Sequence, residues 1–179
     1  GEQRKARPGV PAHLHTGVDL RRPDGDYDSQ PVFPAARGVV VSVRADGPFA
    51  QVIVEHRRQA GSGADSDRGL GFTVVWTVYE HFTDIAVVPG DAVQPLQPMG
   101  RFFNRHELDR YGWQFDHLHF EVMIVAPPRV PPTAELPNRS FGTYALLCYD
   151  RGQLLRRLCD PLEFLRARFR DAQAPSPRQ

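Results

Sequence analysis

The chain has 179 residues, enough for one compact domain with decorations. Hydrophobic residues make up 41% of it, so it can bury a real core, and no apolar run approaches the ~20 residues needed to cross a bilayer. A net charge of +1, with 24% charged residues, argues against a nucleic-acid binder, which would carry a clustered basic face.

In chain order, residues 1–10 are polar and basic and read as a tail. A single domain over 11–170 follows, and 171–179 read as a disordered Pro/Ser/Gln tail. Arginine supplies nearly all the positive charge, Lys5 being the one lysine, and most arginines read as solvated surface. No charged-then-apolar leader opens the chain, which fits either a cytosolic protein or a trimmed one.

The middle of the chain reads as β structure. Gly38-Val39-Val40-Val41-Ser42-Val43 is β-branched. Gln51-Val52-Ile53-Val54-Glu55 follows the turn signals Asp46-Gly47-Pro48. A polar, glycine-rich loop is expected over 59–71, and Phe72-Thr73-Val74-Val75-Trp76-Thr77-Val78-Tyr79 reads as a strand leading to His81. Pro89-Gly90-Asp91 is a turn, proline setting one dihedral and glycine permitting the next. His117 to Val122 alternates strictly: His117, His119 and Glu121 point one way, and Leu118, Phe120 and Val122 the other. The apolar side belongs in the core and the polar side in a groove, with the two imidazoles ~6–7 Å apart along the strand.

Beyond Val125 the texture changes. A stiff proline-rich insertion covers about 126–143. Tyr144 to Tyr149 reads as a strand and Arg151-Gly152 as a turn, together a C-terminal hairpin. Asp160-Pro161-Leu162-Glu163 opens a short helix, with Asp160 as N-cap and Pro161 in the first turn. Leu162, Phe164, Leu165 and Phe169 supply its apolar side. Cys148 and Cys159 form no CxxC pair. They are two small buried thiols or, in an oxidising compartment, a disulfide worth ~2–3 kcal/mol.

Three short motifs carry the chemistry: His15-Thr16-Gly17-Val18-Asp19, Tyr79-Glu80-His81, and His117-Leu118-His119-Phe120-Glu121. Gly17 lets the backbone turn tightly between His15 and Asp19, which share a face if that segment is extended. A catalytic zinc takes three protein ligands and keeps a fourth position for water. This set offers three ligands with two histidines to spare, and the spare pair could handle protons. His13, His56 and His106 fall outside the motifs. Tyr111, Trp113 and Phe115 alternate ahead of Asp116 and either wall a groove or pack in the core.

These motifs resemble those of the lysostaphin/LytM-type zinc endopeptidases, which cut peptide bonds in bacterial peptidoglycan. The resemblance covers roughly 12–125. His15-Thr16-Gly17-Val18-Asp19-Leu20 is similar to the first signature of that family. Pro31-Val32-Phe33-Pro34-Ala35-Ala36-Arg37-Gly38-Val39-Val40 is similar to the strand-turn-strand that follows it. Tyr79-Glu80-His81-Phe82 and Val88-Pro89-Gly90-Asp91-Ala92-Val93 are similar to its middle segments, and His117-Leu118-His119-Phe120-Glu121-Val122 to its last signature. The stretch 102–116 departs from the family pattern, being bulky and charged where glycines are usual.

The resemblance implies a mainly β fold, an antiparallel sheet or sandwich with the C-terminal hairpin and short helix. It implies one Zn2+ per chain on His15, Asp19 and His119, with His81 and His117 as the catalytic pair. It implies peptidoglycan or its peptide fragments as substrate, and a place outside the cytoplasm. Glu121 is expected to orient a ring or, with Tyr111, Trp113 and Phe115, to meet substrate. The alternative is a catalytically silent relative that binds cell wall or activates another wall hydrolase.

Overall fold

A computed structural model describes residues 1–23, 25–28, 30–57 and 73–173, with side chains through 168. Eleven strands are present among the described residues, all of their pairings antiparallel. The β-branched runs form the long strands: β5 (Gly38–Arg44), β6 (Gln51–Arg57), β7 (Val74–Glu80) and β11 (Leu118–Met123). With β3 (Val18–Leu20) and β9 (Ala92–Val93) they build a six-stranded sheet in the order β3-β11-β7-β6-β5-β9. A second sheet, β4-β10-β8, joins Pro31–Val32, Gly100–Phe102 and Phe82–Thr83.

The two faces of the large sheet bury different things. Leu118, Phe120 and Val122 lie in the main core with Val52, Val54, Tyr79, Phe82, Met99 and Phe164. Each fully buried side chain of this kind contributes about 1.5–3 kcal/mol. A smaller cluster on Ile53, Val78 and Met123 is covered by Cys148 and Leu158, with Phe141, Tyr144 and Leu154 packed against it. The segment after Val125 therefore roofs part of the face that carries His119 and Glu121. Every residue of β11 is buried, where a polar groove had been expected along one side.

Several expectations are corrected. Residues 1–10 are no tail: β1 (Gln3–Arg4) pairs with β2 (His13–Leu14), and Arg7 and Val10 close the hairpin with two backbone hydrogen bonds. The C-terminal hairpin is absent, because 144–149 forms no strand and Arg151–Arg157 is a helix, α2. Asp150 caps that helix by accepting from the Gln153 N–H, which outweighs the turn signal of Gly152. Helix α1 (Arg105–Tyr111) carries a capping box of Asn104 and Glu107. Helix α3 (Pro161–Gln173) begins beside Asp160, whose carboxylate accepts from Leu162 N–H. Phe164 is fully buried, but Leu162 faces outward at 40% exposure. Cys148 and Cys159 are free thiols. The loop expected over 59–71 lies outside the described residues. No helix among the described residues is long and apolar enough to cross a membrane.

Candidate metal centre

Three adjacent strands assemble the centre. Asp19 on β3 stands directly opposite His119 on β11, and Glu80 on β7 stands opposite His119 from the other side. Opposed residues share a face, so Asp19, His119 and Glu80 form one row across the sheet. Gln51 on β6 extends that row, its amide donating to Glu80 Oε1 at 2.5 Å. His15 enters from the segment just ahead of β3. Gly17 makes this possible by close approach. A Cβ there would sit 2.3 Å from the Phe120 carbonyl oxygen and 2.9 Å from the His119 ring. The bend expected at Gly17 is present, and the close approach to β11 is a second reason for a glycine there.

The donors converge. His15 Nε2 lies 3.0 Å from His119 Nδ1 and 3.1 Å from Asp19 Oδ1, and His119 Nδ1 lies 3.0 Å from the same oxygen. At metal–ligand bonds near 2.1 Å, three donors lie about 3.0 Å apart on an octahedral face and about 3.4 Å apart on a tetrahedral one. The observed triangle matches such a face, so the residues fit a small divalent cation.

The ring of His119 is fixed from behind. Its Nε2–H donates to Glu121 Oε1 at 2.9 Å, so Nδ1, paired with Asp19 Oδ1 here, is the nitrogen that would lose its proton to meet a cation at the triangle. The Thr16 hydroxyl donates to the same Glu121 oxygen. Glu121 is 0% exposed, so it backs the histidine and is out of reach of a substrate. The Asp19 side chain is 33% exposed and that of His117 is 20% exposed, which opens the front of the triangle to solvent.

His81 and His117 stand on that open side. Their ring centroids are 5.0 Å apart, and His117 Nε2 is 3.5 Å from Asp19 Oδ1. His81 has a left-handed backbone, φ 68°, which costs a non-glycine residue about 1–2 kcal/mol. Two bonds hold it there: its N–H donates to Ala50 O at 3.1 Å, and Nδ1–H donates to Pro48 O at 2.6 Å. The second bond sets the tautomer, making Nε2 the basic nitrogen.

No family model matches the sequence, and no curated protein matches it. Among solved structures the chain is similar to a single-site mutant of the catalytic domain of the prophage-encoded M23 protein EnpA from Enterococcus faecalis. Identity is 20% and the TM-score 0.42, over 80% of this chain and 85% of that one. So loose a superposition carries no chemistry, and the centre stands on its own side chains.

The local charges favour a cation. Burial alone would raise the Asp19 carboxyl, but hydrogen bonds from His119 and His15 outweigh it and hold the group well below the usual carboxylate range. Burial likewise works against charge on His119, yet Asp19 and Glu121 hold its pKa up at about 10. Burial raises Glu80, and the neighbouring Glu121 charge adds to this. Positive charge is thus stabilised where the three donors meet. On the open side the balance reverses: burial pulls His81 down to about 4 and lowers His117 as well, so both rings are neutral near pH 7.

The aromatics divide. Phe115 packs 5.0 Å from His81 and 5.5 Å from Phe49. Tyr111 packs on Phe103, and Trp113 packs on Tyr27 and donates to Asp109, so neither meets the histidines. Sequence reasoning missed Phe49, Pro48 and Arg22. The last, read as surface, is 8% exposed, and its guanidinium is 2.6 Å from Asp116 next to His117. Asp46-Gly47-Pro48 was legible as a turn; its landing beside His81 was not. His13 bonds Pro11 O, His106 is exposed, and His56 is buried away from the centre.

Proposed function

We propose that this chain is a zinc-dependent endopeptidase acting on peptide bonds of peptidoglycan stem peptides or cross-bridges, outside the cytoplasm. The observation that carries the reading is the even triangle of His15 Nε2, Asp19 Oδ1 and His119 Nδ1, with two neutral imidazoles on its open side. Two histidines and a carboxylate can also hold iron(II) for oxygen chemistry. The adjacent His81 and His117 favour hydrolysis, which needs proton acceptors and donors at that point.

His15, Asp19 and His119 would hold the ion. When bound, zinc supplies Lewis acidity, polarising the scissile carbonyl and acidifying water toward neutrality. His81, with Nδ1–H committed to Pro48 O, accepts a proton at Nε2. His117 faces the same space with no such backbone anchor among the described contacts. Its N–H would donate to the developing oxyanion, and the proton taken up at His81 Nε2 would pass on to the leaving amine. Glu121 and Thr16 keep the His119 lone pair aimed at the ion. Phe49 and Phe115 exclude water beside His81 and offer an apolar corner to the substrate.

Incubating the purified protein with peptidoglycan, with added zinc or with a chelator, tests this. Mass spectrometry of the released fragments should show peptide-bond cleavage that the chelator abolishes and zinc restores. Stoichiometric zinc with no cleavage would leave a wall-binding relative. No bound metal would end the reading.

A further inference from the structure

The centre has one more neighbour, and it comes from the hairpin at the start of the chain. Arg4 Nη2 lies 3.3 Å from Asp19 Oδ2, while the other oxygen, Oδ1, faces His15, His119 and His117 at 3.1, 3.0 and 3.5 Å. The two oxygens of one carboxylate are thus divided between the triangle and a guanidinium. Arg4 is held in place from several directions. It pairs with His13 across β1 and β2, the N–H of His15 donates to Glu2 O at 2.8 Å, and Gln3 Nε2 donates to His13 O at 3.3 Å. Its position is therefore tied to the segment that carries His15.

We infer that Arg4 is a positioning residue for the metal centre: it engages Asp19 Oδ2, so that Oδ1 alone is offered to the ion and the side facing His81 and His117 stays open. The inference rests on the zinc reading above. A carboxylate with both oxygens available can bind one ion through either or both, and the second oxygen would then occupy space that a substrate carbonyl or water needs. An exposed ion pair alone contributes about 0–1 kcal/mol. Arg4 is 40% exposed, so its value lies in direction and not in stability. Removing it also removes a positive charge near the ion, which opposes any loss of affinity.

Cobalt(II) titration of the chelator-stripped protein tests this, because cobalt(II) in a four-coordinate site absorbs visible light more strongly than in a five-coordinate one. Wild type, Arg4→Met and Arg4→Lys are compared, with peptidoglycan cleavage measured on the zinc forms. Arg4→Met should bind cobalt(II) as tightly as wild type, with weaker visible bands. Its turnover should fall about 10- to 100-fold, with KM little changed. Arg4→Lys should recover most of the band intensity and activity, and the melting temperature should be the same in all three. Spectra of Arg4→Met and wild type that coincide, or loss of cobalt(II) binding in Arg4→Met alone, overturn the inference. A wild type that binds no cobalt(II) and no zinc overturns instead the reading on which it rests.

Discussion

His119 and Asp19 face each other across paired strands β11 and β3, and His119 Nδ1 lies 3.0 Å from Asp19 Oδ1. Two of the three proposed ligands are therefore set by sheet register, and only His15 depends on a loop. A one-residue slip would send both side chains to the opposite face. The centre is as well fixed as the ladder beneath it.

From this follows a division of roles that variants can read. His119→Ala and Asp19→Ala should each lose zinc and cleavage together. His81→Ala should keep its zinc and lose activity by about 10²- to 10⁴-fold, the usual share of a positioned proton carrier. Metal analysis alongside muropeptide release separates the two groups. Zinc lost from His81→Ala as well would make that residue a ligand instead.

The alternation of 117–122 was legible because a strand has period 2, and the structure keeps Leu118, Phe120 and Val122 together in the core. What surrounds the motifs was not legible. Pro48, Phe49 and Arg4 come to the centre through pairings between distant segments, and nothing local in their sequence marks them. Residues 151–157 misled for the opposite reason. Arg151-Gly152 has the composition of a turn, while the deciding interaction is the Asp150 cap on Gln153 N–H. Gly17 is legible as a bend, while its Cβ clash with β11 is not, because that depends on a strand roughly 100 residues away in sequence.

Glu121→Gln should weaken metal binding and stability together. The amide keeps an oxygen for the His119 N–H and the Thr16 hydroxyl but gives up the charge that faces the buried His119 ring. Glu121 Oε2 has no hydrogen-bond partner among the described residues, so the amide nitrogen placed there would be buried without an acceptor. Zinc affinity should fall about 10- to 100-fold, and the melting temperature should fall as well. Glu121→Ala should also destabilise the fold, by at least about 1–3 kcal/mol, because it strands the groups that Glu121 accepts from. A chelator-competition titration and urea melts of both variants measure this, and equal zinc affinity in Glu121→Gln and wild type would refute it.

Gly17→Ala should damage the centre without touching a ligand. The added Cβ would lie 2.3 Å from the Phe120 carbonyl oxygen, so β3 must back away from β11. Overpacking of this kind destabilises by about 1–3 kcal/mol. The same retreat pulls Asp19 from His119, and zinc stoichiometry should drop in proportion. Full zinc occupancy together with unchanged urea stability would show that the strands tolerate the methyl group.

The acid stability of the fold should depend on His56, which lies outside the metal centre. Its Nδ1–H donates to Arg37 O at 2.7 Å, its Nε2 lies 2.7 Å from Thr77 Oγ1, and burial favours the neutral ring. Burial lowers its pKa from 6.5 to about 4. Between these values the unfolded chain holds a proton that the folded chain does not, so stability rises with pH across the window. The contribution is fully present above about pH 6.5, and roughly 3 kcal/mol of it is lost as pH falls toward 4. His81 is lowered to the same region and adds its own acid slope, so the comparison needed is between wild type and a His56→Gln variant, both with chelator present. His56→Gln should be less stable at pH 7.5 but should lose less between pH 6.5 and 4.5 (the window set by roughly those two values). Urea melts across that range measure the difference, and parallel slopes in the two proteins would mean that His56 takes up its proton in the fold as readily as in the open chain.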